Sequence, residues 1–110
     1  MTTWNRVNGD VNDTIVAQLA GVANLTGVTA VEAHVWPVTG GAAVTLTAAV
    51  TDATNRYVTV QLGAGGGWLP SAAAGPWNIE YQTTWSGGAI ITWPEKGSPP
   101  DQIIVRQQGA

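Results

Sequence analysis

From Trp77 to Trp85 the chain alternates with period two. Trp77, Ile79, Tyr81, Thr83 and Trp85 fall on one side, and Asn78, Glu80, Gln82 and Thr84 on the other. A helix repeats every 3.6 residues and would scatter these two sets around its axis. A strand sends successive side chains to opposite faces and keeps them apart. The segment is therefore predicted to be a strand with one face in a core and one in solvent.

The pattern recurs. Val44, Leu46, Ala48 and Val50 form a second inward row, opposed by Thr45, Thr47 and Thr51. Val58, Val60 and Leu62 form a third, opposed by Tyr57, Thr59 and Gln61. Val31, Ala33 and Val35 form a fourth, opposed by Glu32, His34 and Trp36. Ile15, Ala17 and Leu19 mark an early strand, and Ala89–Trp93 and Gln102–Val105 the last two. Val11–Ala23 has some helical propensity, but its β-branched residues favour strand. Turn residues separate the runs: Pro37–Gly41, Thr51–Asn55 and the tight hairpin signal Ser86-Gly87-Gly88. Two stretches are longer. Gly63–Gly75 carries Gly65-Gly66-Gly67 and Trp68-Leu69-Pro70, and Pro94–Asp101 holds three prolines that disfavour a central strand. About seven short strands predict an all-β, immunoglobulin-like antiparallel β-sandwich, with residues 1–110 as one domain.

Little in the sequence can carry chemistry. Cysteine is absent, which removes disulfides and thiolate metal sites. The lone histidine, His34, needs several carboxylates beside it to hold zinc, and its position on a strand reads as an exposed side chain. No serine sits in a nucleophile elbow; Ser71, Ser86 and Ser98 all lie in turns. The acids Asp10, Asp13, Glu32, Asp52, Glu80, Glu95 and Asp101 single out no catalytic pair. Asn8–Asp13 resembles a calcium loop only in composition and reads as an Asx-type turn. The glycine-rich Gly63–Gly67 lacks the Lys-Ser/Thr of a phosphate loop. The expectation is a chain that is not an enzyme, with no cofactor, no metal and no catalytic residue.

Charge excludes further classes. Only 10% of residues are charged and the net charge is −3. Arg6, Arg56, Lys96 and Arg106 are scattered, with no basic stripe to neutralise phosphates, so nucleic acid is not an expected partner. No apolar run reaches the ~20 residues of a membrane helix, and no signal peptide opens the chain, so synthesis in a cytoplasm without membrane insertion is expected. Such low charge with 45% hydrophobic residues suits a domain whose outer face is partly covered by sugar, by copies of itself or by another protein.

Six tryptophans are the most unusual feature: Trp4, Trp36, Trp68, Trp77, Trp85 and Trp93. Trp77 and Trp85 lie on an inward row and are expected in the core. Trp36 lies on the polar side of its strand. Trp4 near the terminus and Trp68-Leu69 in the long loop would be costly to leave bare. Trp4, Trp68 and Leu69 are thus the candidate partner contacts, the alternative for Trp68 being a lid over the open end of the sandwich.

Several pieces also occur in a telling order. They are Gly9-Asp10, Asn24-Leu25-Thr26-Gly27, Val50-Thr51-Asp52, Trp68-Leu69-Pro70, Gly75-Pro76-Trp77-Asn78-Ile79-Glu80-Tyr81, Thr92-Trp93-Pro94 and Ile103-Ile104-Val105. Together they resemble the immunoglobulin-like N-terminal domain of siphophage upper baseplate proteins and related small domains of tailed-phage virions. The resemblance implies a non-enzymatic structural role, docking one virion component onto another. In that family the domain continues into a segment bearing the adhesin. This sequence closes at Gln108-Gly109-Ala110, which turns the expectation towards coating or cementing a lattice on capsid, tail or baseplate. The expected location is the virion, and the expected partners are other virion proteins or copies of the chain itself. A carbohydrate-binding module using exposed tryptophans is the alternative.

Overall fold

A computed structural model describes residues 2–8, 10, 13–63, 67–94 and 98–108. The chain is all-β, and the described residues form eight strands: β1 (Thr3–Val7), β2 (Thr14–Gln18), β3 (Val28–Pro37), β4 (Val44–Asp52), β5 (Tyr57–Gln61), β6 (Gly75–Trp85), β7 (Ile90–Trp93) and β8 (Asp101–Arg106). They are hydrogen-bonded in the order β1-β8-β6-β3-β4-β5-β2, with β7 attached to β6 off that path.

The longest alternating run becomes the centre. One edge of β6 pairs with β3 from Trp77 to Trp85. Its other edge is shared, with β8 along Gly75–Ile79 and β7 along Tyr81–Thr84. The β6–β7 hairpin closes through Gly87 and Gly88 at φ 98° and 92°, a region that favours glycine. There Gly88 N–H donates to Trp85 O (2.9 Å) and Trp85 N–H to Ala89 O (2.8 Å).

β4 is the corner of the fold. Val44–Thr47 pairs with β3, and Ala48–Asp52 pairs with β5, which continues into β2. One hydrophobic cluster collects Ile15 and Ala17 of β2, Val58 and Val60 of β5, and Trp77, Ile79 and Tyr81 of β6. The same cluster takes in Trp93 of β7 and Ile103 and Val105 of β8. Opposite ends of the strand path thus meet on one core, and the sheet wraps around it almost as a barrel.

Two expectations are corrected. The sheet is mixed rather than antiparallel, and it has eight strands rather than about seven. The cause of both is β1, which adds to β8 in parallel, Thr3 opposite Gln102 and Val7 opposite Arg106. Thr-Trp-Asn-Arg-Val has no clean alternation, and its partner lies at the far end of the sequence. The second row is also less uniform than its spacing suggests. Leu46 is buried, whereas Val44, where β4 first meets β3, is 38% exposed.

Candidate interaction surfaces

The three contact residues predicted from sequence are found in or against the core. The long loop after β5 turns through a short 3-10 helix, Leu69–Ser71, with Pro70 in its first turn. Leu69 N–H donates to Leu62 O (2.8 Å), which pins the loop to the end of β5. That turn lays Trp68 and Leu69 on the core, 8% and 0% exposed. Trp68 meets Trp77 edge to face, centroids 5.0 Å apart at 79°, and Trp77 Nε1–H donates to Ala73 O (3.0 Å). Trp4, on β1 beside Ile103, is half-buried against the same cluster. A neighbour reaches Leu69 only by displacing core. Trp85 is half-buried with its Nε1–H on Thr83 Oγ1 (2.8 Å).

The accessible surface is organised by the strands. On β2, β5 and the second half of β4, the outward positions are Thr14, Val16, Gln18, Tyr57, Thr59, Gln61, Ala49 and Thr51. None carries a charge. Val16 is 51% exposed and sits opposite Thr59, which in turn sits opposite Ala49. Tyr57 is 37% exposed at the next outward position of β5. Thr51 and Thr59 hydroxyls lie 3.0 Å apart. Asp52 closes the margin of this face. Its carboxyl is held below the ordinary range by the Asn55 side-chain amide and then by the Asn55 backbone N–H. The signal for this face is present in the sequence, because the outward sets of the second and third rows are made of Thr, Gln and Tyr.

β2 is also an edge strand. Leu62 N–H bonds Asp13 O and Leu19 N–H bonds Arg56 O, so Ile15 and Ala17 between them turn their backbone groups to β5. Thr14, Val16 and Gln18 then direct theirs outward. Arg6 of β1 covers the start of this edge: Nη2 reaches Thr14 O (3.4 Å) and Nε lies 3.0 Å from Asp13 Oδ2.

The outward face of β3, β6 and β8 is different in kind. Register places Trp36, Asn78 and Gln102 in one row, and Glu80 beside His34 in the next. His34 Nε2 lies 3.2 Å from Glu32 Oε1 and Nδ1 lies 3.3 Å from Thr45 Oγ1, so the histidine is part of the surface network. A cleft of about 380 Å³ lies at the end of β2 and β7, lined in part by Leu19, Trp93, Tyr81 and Asp101. Tyr81 O–H points to Asp101 Oδ2 (3.4 Å). Burial first, then the Asp101 charge and that hydrogen bond, push the phenol far above its ordinary range and keep it protonated.

Searched against protein-family models, curated proteins and solved structures, the chain matches none. Among the described residues no three His, Cys, Asp or Glu side chains group to hold a metal ion, and no helix is long and apolar enough to cross a membrane. Several earlier readings lie wholly or partly outside the described residues. They are the calcium-like composition at Gly9, Val11 and Asn12, part of the glycine-rich loop at 64–66, part of the proline stretch at 95–97, and the closing Gly109-Ala110.

Proposed function

We propose that the chain is a non-enzymatic docking module of a tailed-phage virion, an immunoglobulin-like β-sandwich that coats or cements a capsid, tail or baseplate lattice. The observation that carries this reading is the charge-free outer face of β2, β5 and the second half of β4, which ends in the edge of β2, open beyond the Arg6 contact at Thr14 among the described residues. Free-standing domains guard such edges with lysine, proline or inward charges. A β-face bearing Val16 and Tyr57 among threonines gains by being covered by another protein. The strand order supports the finer fold reading. The first strand adds in parallel to the last, and β4 passes the chain between a β1-β8-β6-β3 layer and a β5-β2 layer. The order of sequence pieces supports the virion setting.

The test is quantitative mass spectrometry of purified particles from the source that encodes the chain. The chain should occur in a fixed copy number relative to the major capsid or tail protein. Its absence from particles that are otherwise complete would overturn the reading.

A further inference from the structure

The opposite face carries a different kind of site. Trp36, Asn78 and Gln102 stand side by side on β3, β6 and β8, on the side away from the core. Adjacent strands are about 4.8 Å apart, so this row spans roughly 10 Å. Glu80 and Gln82 extend it along β6, opposite His34 and Glu32. All five residues are half-buried on paired strands, so part of their side-chain freedom is already lost in the folded chain. Ordering them on binding therefore costs less than ordering fully exposed side chains.

Their hydrogen-bonding groups are unused. Among the described residues, the side chains of Trp36, Asn78, Glu80, Gln82 and Gln102 make no hydrogen bond, whereas His34 next to them is engaged on both ring nitrogens. The row therefore offers an aromatic surface, three amides that both donate and accept, and a carboxylate that accepts. The matching ligand has an apolar C–H face and a rim of hydroxyls that both donate and accept. Anionic ligands are opposed by Glu80 and Glu32. A peptide strand would seek a free sheet edge, and these residues lie on the face of paired strands.

We propose that this face binds a neutral oligosaccharide, with one pyranose ring stacked on Trp36 and hydroxyls of that ring and of neighbouring units bonded to Asn78, Glu80 and Gln102. The strand spacing is comparable to the repeat of a pyranose chain, so neighbouring sugar units can meet side chains on successive strands. The site uses none of the residues of the docking face and stands whether or not the chain rides a virion.

The test uses the full chain and five probes: cellohexaose, maltohexaose, hexa-N-acetylchitohexaose, mannohexaose and, as the anionic comparator, hexagalacturonate. Binding is followed by tryptophan fluorescence and by the side-chain amide signals of Asn78, Gln82 and Gln102 in ¹H–¹⁵N spectra. At least one neutral hexasaccharide should bind saturably and shift those signals more than hexagalacturonate does. Trp36→Ala should weaken that binding about tenfold or more at an unchanged melting temperature. Should Trp36→Ala not fold, Asn78→Ala and Gln102→Ala should each weaken it instead. Failure of all four neutral probes to bind, preference for the anionic one, or binding that survives these substitutions would overturn the proposal.

Discussion

Trp68 shows how one side chain can look like a surface anchor in sequence and be a core residue in space. The loop reading rested on glycines around it, but the deciding contacts are non-local: Leu69 with Leu62, and the Trp68 ring with Trp77. Trp68→Ala is expected to lower stability by roughly 3–5 kcal/mol, as for other buried aromatics. The Trp68 Nε1–H is buried with no acceptor among the described residues. Trp68→Phe keeps an aromatic, though smaller, ring against Trp77 and removes that donor, so it should cost less than the alanine variant; chemical denaturation of both variants checks this. An alanine variant with unchanged stability would place Trp68 outside the core. Tyr81 gives a pH signature. Its phenol is raised in the folded state, so the folded protein holds the proton after the unfolded chain has released it. Stability is fully present below about pH 10 and falls as pH rises above it. Tyr81→Phe should flatten that alkaline loss. Equal alkaline slopes in wild type and Tyr81→Phe would contradict the assignment.

At the scale of strands, seven of the eight are legible in the sequence, most of them because burial on one face imprints period-two alternation, as on β6 and β5. β1 is not, because both its neighbour and its reason to be extended come from β8. Asn5 and Arg6 advertise no strand alone; register puts Asn5 beside Ile104 and Arg6 beside Val105. The bonds Gln102 N–H to Thr2 O and Asn8 N–H to Arg106 O show which β8 residues face β1. Ile104 lies between them and faces β1, while Ile103 and Val105 face β6. Amide hydrogen exchange should therefore separate neighbours. The Ile104 amide should open at lower free energy than those of Ile103 and Val105, because releasing β1 is enough to expose it. Trp4→Ala removes a half-buried ring and should lower protection at Ile104 by about 1–2 kcal/mol, with less effect at Ile103. Uniform loss along β8 would mean that β1 opens only with the whole domain.

Over the whole molecule, the same alternation that builds the core produces two outer faces of unlike chemistry. One is amide- and carboxylate-bearing around Trp36, and the other is free of charge around Val16 and Tyr57. The sequence shows which positions point outward on each strand. It does not show that β2, β5 and β4 lie edge to edge, and only that adjacency makes separate uncharged positions into a surface. If this surface docks, a charge placed on it should act on assembly and leave folding intact. Val16 and Thr59 are opposed across the β2–β5 ladder, so Val16→Lys and Thr59→Lys each put one ammonium at the centre of the face. Neither removes a residue from the core cluster, so each monomer's melting temperature should stay within a few degrees of wild type. A charge buried against a partner without a counter-ion is costly, so incorporation into particles should fall by about tenfold or more. Lysine at Gln82 is the matched control, because it adds the same charge to the opposite face and should leave incorporation unchanged. If all three variants assemble alike, the uncharged face is not the docking surface. If the Gln82→Lys variant alone is lost from particles, docking belongs to the Trp36 face.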